Sequence, residues 1–313
     1  MKRWRNSLAG FLMALMLGGC ALGISEIPLA DLEQRYATGA SRFIEIDGLR
    51  VHYRVEGTGQ PIVLLHGILA SLHNWEGWSR ELKSEYRVIS LDLPGHGLTG
   101  PKSGFNYNRE DYIDFIEQFV AALELKEFTL IGNSLGGYFA WNYAIDHPEQ
   151  VKRLVLIDSG GFPLSRLPLP IRVFTAPLIG EISMHFTPRF AASMLLRQVY
   201  ADPSRISEAM IERYYELQLR PGNRRASRAL FHDIKKHAFE EPKGLEKLSM
   251  PVLLMWGEQD TWIPSDPHLS KWRQALPEAA VVTYPDAGHM AMEEIPEQSV
   301  KDLQHFLAAE PLP

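Results

Sequence analysis

A serine flanked by glycines lies near the middle of the chain, in the sequence Gly132-Asn133-Ser134-Leu135-Gly136. The apolar run 128–131 before it is typical of a buried strand, and the residues from Leu135 onward are typical of a buried helix. A strand that turns directly into a helix strains its corner residue, and glycines on both sides keep side chains out of the crowded corner. The Ser134 hydroxyl is therefore predicted to be exposed above the sheet, facing the first amides of the helix.

A serine hydroxyl is a weak nucleophile at neutral pH, so it needs a contacting base and a group that orients this base. Two later residues fit these roles. Asp260 follows the apolar run 252–256, and His289 follows the apolar run 281–284. Reactive groups gather at the carboxyl ends of strands in open α/β sheets, and the chain order Ser, Asp, His is the order that this serine motif carries.

Other polar residues near predicted strand ends compete for these roles. Asp158 follows the predicted strand 151–157 and is the rival for the orienting acid. His66 and His96 are predicted to be structural, with hydrogen bonds to backbone near the site. Asp92 is predicted to end its strand and to shape a turn.

Predicted strands and helices alternate on both sides of residues 160–246, a segment that contains no convincing central strand. Alternation with short loops favours a parallel sheet with helices on both faces. The predicted organisation is a core at 42–159 and 247–313, interrupted by a helical cap at 160–246 that lies above the strand ends. Residues 21–41 are predicted to be a tether.

Five spaced motifs give the chain a resemblance to a known family. They are His66-Gly67, Asp92-Leu93-Pro94-Gly95-His96-Gly97, Gly132-Asn133-Ser134-Leu135-Gly136-Gly137, Trp256-Gly257-Glu258-Gln259-Asp260 and Gly288-His289. With them the chain resembles an α/β-hydrolase over about residues 42–309. This resemblance implies a mostly parallel eight-stranded sheet with helices on both faces and a helical cap inserted after the sixth strand.

The resemblance also implies a set of roles at the site. The nucleophile is Ser134, the base is His289, the orienting acid is Asp260, and the oxyanion hole consists of the backbone amides of Ile68 and Leu135. Such a set implies hydrolysis of a small-molecule carboxylic ester through an acyl-enzyme.

Two departures from related sequences narrow the reaction. Ser134 stands where relatives that cleave carbon–halogen bonds or epoxides carry aspartate, which argues against both activities. Met290 follows His289 where carbon–carbon hydrolases of the meta-cleavage type commonly carry tryptophan. Hydrolysis of an ester, lactone or thioester is therefore favoured. The alternatives are a carbon–carbon hydrolase and a non-catalytic binding protein of the same fold, and the retained Ser, Asp and His favour an enzyme.

Apolar residues around the predicted site offer an acyl pocket. The residues expected to wall it are Trp75, Trp262, Phe162, Leu164 and Leu167. The alternative is that these side chains only pack against the core, as most apolar residues do.

Composition excludes several classes of partner. The 313 residues carry a net charge of −6 with a pI of about 6.0, which does not favour nucleic acid. Cys20 is the single cysteine, and the sequence has no Cys/His cluster with metal-ligand spacing. Neither a metal nor a cofactor is predicted.

The N-terminus resembles the signal of a bacterial lipoprotein. Basic residues come first, the apolar stretch 11–17 follows, and Leu17-Gly18-Gly19-Cys20 resembles a lipobox that makes Cys20 the lipidated first residue of the mature chain. Ala21 in the next position implies the outer membrane of a Gram-negative cell. Plain periplasmic or secreted export and an uncleaved anchor remain the alternatives. Residues 21–41 would keep the cap and active site clear of the headgroups.

Changing Cys20 is expected to change where the protein resides. Several acyl chains on one residue hold a protein at a membrane because each buried methylene contributes about 0.8 kcal/mol. Cys20→Ser should therefore release the protein from membranes or leave an unprocessed precursor, as measured by fractionation. An unmodified mature chain that starts elsewhere than Cys20, seen by mass spectrometry, would contradict lipidation.

Overall fold

A computed structural model describes residues 23–309, and its core is one sheet of eight strands. The strands are β1 Ser41–Ile46, β2 Leu49–Glu56, β3 Gln60–Leu65, β4 Tyr86–Leu91, β5 Phe128–Asn133, β6 Val151–Ile157, β7 Val252–Gly257 and β8 Ala280–Tyr284. Their order across the sheet is β1-β2-β4-β3-β5-β6-β7-β8. Pairs β1–β2 and β2–β4 are antiparallel, and the other pairs are parallel.

Helices cover this sheet. They are α1 Leu29–Tyr36, α2 Glu76–Leu82, α3 Arg109–Ala122, α4 Leu135–Asp146, α5 Leu169–Thr175, α6 Pro177–His185, α7 Arg189–Val199, α8 Glu208–Gln218, α9 Asn223–His237, α10 Ser265–Ala275, α11 Ala291–Glu294 and α12 Pro296–Ala308. Helices α5 to α9 lie between β6 and β7, so the predicted fold with a helical cap after the sixth strand is confirmed. Within residues 23–309, none of the helices has the length and apolar character needed to cross a bilayer.

The central strands explain why the apolar runs are continuous. Every residue of β5 and β7 is buried. Strands covered by helices on both faces have no solvent side, so their sequences lack the alternation of a half-exposed strand. The residues that follow these strands therefore lie at the edge of a buried sheet.

The N-terminal segment is packed against the domain where the structure describes it. Leu32 of α1 is fully buried in a cluster with Leu98 and Leu217. The Ile27 amide donates to the Leu219 carbonyl at 2.9 Å. The Tyr36 hydroxyl lies 2.7 Å from a carboxylate oxygen of Glu216 in α8. Residues 27–36, inside the predicted tether, therefore lie along the end of cap helix α8.

Glycines make the turn from β5 into α4 sterically feasible. A Cβ added to Gly132 would lie 2.3 Å from the backbone carbon of Gly136. A Cβ added to Gly136 would lie 2.2 Å from the Leu65 carbonyl oxygen of β3. Contacts this short involve backbone atoms that cannot rotate away, so both positions require glycine.

Gly136→Ala is expected to destabilise the fold by about 2 kcal/mol or more, because the added methyl displaces the backbone of β3 or α4. The measurement is urea unfolding. Gly39→Ala is the matched control, since a Cβ at Gly39 meets no atom within 4 Å, and it should leave stability nearly unchanged or slightly raised. Equal midpoints for the two variants would contradict the steric argument.

Candidate active site

Ser134 occupies the corner between β5 and α4. Its backbone has φ 54° and ψ −114°, a conformation that non-glycine residues seldom adopt. The residue is largely buried beneath the cap and lies against Gly67, where an added Cβ would come within 3.2 Å of the Ser134 Cβ. The side chain predicted to be exposed above the sheet is therefore enclosed between the sheet edge and the cap.

Asp260 and His289 form a buried hydrogen-bonded pair. Asp260 Oδ2 lies 2.6 Å from His289 Nδ1, while Asp260 Oδ1 accepts from the amides of Trp262 at 2.7 Å and Ile263 at 3.1 Å. A carboxylate only accepts, so Nδ1 carries the proton and Nε2 keeps its lone pair. Nε2 is buried, makes no hydrogen bond within the described chain, and His289 lines a small pocket together with Ser134.

Two amides next to Ser134 can receive negative charge. Leu135 is the first residue of α4, so its N–H has no acceptor within the helix. Ile68 follows Gly67, which contacts Ser134, and both Ile68 and Leu135 line the same cavity as Ser134. The structure thus brings all five residues predicted for the site to one edge of the sheet, whereas Cys20 lies outside the described residues.

Asp158, the rival acid, also lies at this edge. One oxygen each of Asp158 and Asp260 and a ring nitrogen of His289 lie within 4.8 Å of one another. Asp158 Oδ1 accepts from the Gly257 amide at 2.9 Å, and its other oxygen has no partner in the described region. Burial and the charge of Asp260 raise the pKa of Asp158 well above its usual value. Asp158 therefore holds the end of β7, while Asp260 makes the bond to the histidine.

The other predicted polar residues have structural contacts. His66 Nδ1 donates to the Gly67 carbonyl at 2.7 Å, and its Nε2 accepts from the Leu93 amide at 3.0 Å. Burial lowers the pKa of His66, which keeps the ring neutral as this pattern requires. Asp92 accepts from the amides of Leu72 and Leu98, each at 2.8 Å. These bonds fix the loop that carries Gly67 beside Ser134.

Residues that carry no local sequence signal hold the loop of His289. Asn133 Nδ2 donates to the His289 carbonyl at 3.0 Å. The His289 amide donates to the carbonyl of Val199 in α7 at 2.8 Å. The buried Glu294 accepts from the amides of Gly288 and of the cap residue Asp202, each at 2.8 Å. The histidine is thus fixed from the sheet and from the cap together, through contacts far apart in sequence that no local pattern reveals.

A cavity of about 520 Å³ lies between Ser134 and the cap. Its lining includes Phe162, Leu164 and Trp262, in agreement with the predicted wall. Trp75 and Leu167 do not line it. Trp75 is fully buried and packs against Trp78, and Leu167 packs against an apolar cluster formed by Leu69, Ile171 and Phe231. The apolar side chains of Trp75 and Leu167 therefore pack inside the protein and do not line the cavity.

The cavity is lined by apolar side chains in one part and by charged side chains in another. Further apolar lining comes from α4 and from cap helices α5 and α9, through Phe139, Ile171, Leu230 and Ile234. Six charged lining residues are exposed, and they mark where the cavity opens to solvent: Asp146, Glu240, Glu241, Lys243, Glu246 and Lys247. The arrangement suits an apolar group placed inside and a polar group near the opening.

Comparison with known proteins agrees with this geometry. A sequence model of the alpha/beta hydrolase fold family matches residues 60–296. A cis-3-alkyl-4-alkyloxetan-2-one decarboxylase of Shewanella oneidensis is 30% identical over 85% of this chain and 87% of its own length. A 2-hydroxy-6-oxo-6-(2'-aminophenyl)hexa-2,4-dienoic acid hydrolase of Metapseudomonas resinovorans is 28% identical over 88% of this chain and 93% of its own.

A solved structure is similar over nearly the whole chain. The crystal structure of a membrane phospholipase A, described as a bacterial virulence factor, superposes with a TM-score of 0.74 at 25% identity. The match covers 98% of each chain. Proteins with different named reactions therefore share this architecture.

Asp260→Asn is expected to lower turnover by about 10²–10⁴-fold, because an amide facing Nδ1 favours the wrong histidine tautomer. Asp158→Asn is the matched control. Its amide oxygen still accepts from Gly257, so turnover should fall much less. Steady-state kinetics with a chromogenic ester measure both, and a reversed order of effects would assign the acid to Asp158.

Proposed function

The chain belongs to the α/β-hydrolase fold family, and we propose that it is a serine hydrolase that cleaves carboxylic esters with apolar acyl groups. The observation that carries this proposal is the 2.6 Å bond between Asp260 and His289, which leaves Nε2 unprotonated in the pocket that Ser134 lines. A histidine held in this tautomer is ready to accept the proton of a serine hydroxyl.

In the acylation half of the reaction, Ser134 Oγ attacks the ester carbonyl carbon while His289 Nε2 takes the hydroxyl proton. Negative charge develops on the carbonyl oxygen, and the amides of Ile68 and Leu135 stabilise it. Asp260 stabilises the protonated imidazole through the bond to Nδ1. When the tetrahedral intermediate collapses, the alcohol leaves with the proton from Nε2, and the acyl group remains bonded to Ser134.

In the deacylation half, water takes the place of the alcohol. His289 Nε2 accepts a proton from the water as its oxygen attacks the acyl carbon, and it returns this proton to Ser134 Oγ as the carboxylic acid leaves. The same two amides receive the charge in both halves. One ester and one water thereby give one acid and one alcohol, with no other reactant.

The character of the cavity supports apolar esters over anionic substrates. A carboxylate buried in an apolar cavity needs a cation to compensate for its lost hydration. The cationic lining residues Arg109, Lys243 and Lys247 are all at least partly exposed, and Arg109 is bonded to Glu110 at 3.0 Å. An uncharged acyl chain has no such need and gains free energy from burial.

Carbon–carbon hydrolysis is the second candidate, because a relative named for a dienoic acid substrate is similar over 88% of this chain. Its substrate would present a carboxylate to the cavity described above. We rank it below ester hydrolysis on that ground. Met290, which is buried and lines the small pocket beside His289, also differs from the tryptophan common in such enzymes.

We further propose that the enzyme works in the bacterial cell envelope as a lipoprotein of the outer membrane, anchored through Cys20. The support is the order of basic, apolar and small residues in front of this single cysteine. Membrane lipid is then a partner of the anchor, and esters reach the cavity from the envelope.

Ser134→Ala is expected to lower turnover of p-nitrophenyl octanoate by about 10⁴-fold or more, because the reaction loses its nucleophile. Ser159→Ala is the control, since Ser159 is a buried serine whose hydroxyl bonds to the Gly160 carbonyl at 2.9 Å, and it should retain most of the activity.

The same assay separates the two candidate reactions. Ester hydrolysis should exceed dienoate cleavage in kcat/KM, and octanoate should be preferred to acetate because the cavity buries the longer chain. Faster cleavage of the dienoate would favour carbon–carbon hydrolysis, and unchanged ester turnover in Ser134→Ala would rule out the proposed nucleophile.

A further inference from the structure

Large apolar side chains are exposed on one part of this molecule. Within residues 23–309, those that are more than one-third exposed all belong to the cap region or to Ile24. Six of them lie on α6, α7 and the turn that joins these helices, and their exposed fractions range from 37% to 79%. We call this set the cap apolar face, and it consists of Leu178, Ile179, Ile182, Phe186, Phe190 and Met194. Exposed apolar surface concentrated in this way marks a binding surface.

The sequence spacing makes these side chains one stripe. Leu178, Ile182 and Phe186 are each four residues apart, so they lie on one side of α6 and its end. Phe190 and Met194 repeat the spacing on α7, whose opposite side is buried through Ala192, Leu196 and Val199. Helix α7 is thus apolar on its inner and outer sides, which packing within the domain does not explain.

The described chain begins at this face. The carbonyl of Gly23 accepts from the amide of Thr187 at 3.3 Å and from Nη1 of Arg224 at 2.7 Å. Thr187 lies in the turn between Phe186 and Phe190, and Arg224 is nearly fully buried. The start of the described chain is therefore buried against the turn that joins the two helices of the cap apolar face.

The sequence before Gly23 indicates what binds to the cap apolar face. Cys20 precedes Gly23 by three residues, so an extended chain places it within about 10 Å. Both the predicted lipid on Cys20 and the apolar stretch 11–17 require a hydrocarbon environment. A lipid on Cys20 would therefore enter the bilayer within about 10 Å of Gly23, which is bonded to the turn between α6 and α7.

We propose that the cap apolar face docks on the surface of a lipid bilayer, with its side chains in the region between headgroups and acyl chains. The cap then faces the membrane, in contrast to the expectation that the N-terminal segment keeps it clear. The orientation of the cap on the bilayer follows from the proposed anchor at Cys20. It does not depend on whether the protein hydrolyses esters.

Docking on lipid has a consequence for the site beneath it. Ile171 of α5 lines the cavity, and α5 packs against α6, which carries half of the face. At its other end α7 reaches Val199, whose carbonyl holds the amide of His289. Of the two helices that carry the face, α6 therefore packs against the cavity-lining helix α5, and α7 contacts the histidine loop, so docking on lipid would act on both parts of the site.

The test measures depth in the membrane with the full-length chain. The protein is purified from membranes with Cys20 retained, because a lipidated cysteine has no free thiol to react with the label. Single cysteines are introduced by Ile182→Cys, Phe190→Cys or Lys126→Cys and labelled with bimane. Lys126 is exposed just before β5, at the sheet edge opposite Ser134. In phosphatidylethanolamine–phosphatidylglycerol vesicles with brominated acyl chains, labels at 182 and 190 should be quenched at least about twofold, and the label at 126 should not.

A second measurement compares vesicle affinity of matched variants. Ile182→Asp with Phe190→Asp should weaken binding at least about tenfold. Gln60→Asp with Ser84→Asp adds the same charge at exposed sites near the amino ends of β3 and β4 and should have little effect. Ser134→Ala should bind as strongly as the parent chain, so failure of the proposed function would leave this result intact.

Three outcomes would overturn the proposal. The first is vesicle-bound protein whose labels at 182 and 190 are not quenched. The second is shielding of these labels without vesicles that rises with protein concentration, which would assign the face to a second copy of the chain. The third is shielding without vesicles that is independent of concentration, which would assign it to residues 1–22.

Discussion

The backbone at Ser134 is the constraint on which the site depends. A φ of 54° is unfavourable for a side chain at this corner, and the structure tolerates it because glycine backbones at 132 and 136 pack directly against each other and against β3. This packing brings the end of a buried strand and the start of a buried helix together at one point. The serine hydroxyl, the first amide of α4 and the amide of Ile68 then converge without adjustable side chains, and the surrounding sheet and helices maintain the strain.

The second requirement of the proposed mechanism is a fixed histidine, and the cap helps to fix it. Asn133 holds the His289 carbonyl from β5, Val199 holds its amide from α7, and Glu294 joins Gly288 to the cap residue Asp202. Glu294 is fully buried, and backbone amides are its main partners, so removing it would leave unpaired groups in two segments. A shift of the cap would therefore move His289 as well as change access to the cavity.

Sequence reasoning succeeded where the chemistry is local. The apolar runs of β3, β5 and β7 and the glycines around Ser134 follow from short-range patterns. The same kind of pattern places Ser134, Asp260 and His289 after strands, and their catalytic roles stay a prediction. It failed where a role depends on tertiary neighbours. Trp75 resembles a pocket residue by type but packs against Trp78 in the core. The link that Glu294 makes to the cap gives no local signal, because its partner Asp202 lies about 90 residues away along the chain. The segment predicted as a tether carries the apolar residues of α1, and their partners on Leu98 and Leu217 emerge only in the fold.

The central claim is that Ser134 becomes covalently acylated during turnover. Intact-mass measurement after treatment with a fluorophosphonate, followed by peptide mapping, tests it most directly, because the reagent traps only a serine activated by its neighbours. The account predicts one added group per chain, on the peptide that contains Ser134, and none when the protein is first denatured. A native protein that acquires no adduct, or acquires it on another residue, would contradict the account.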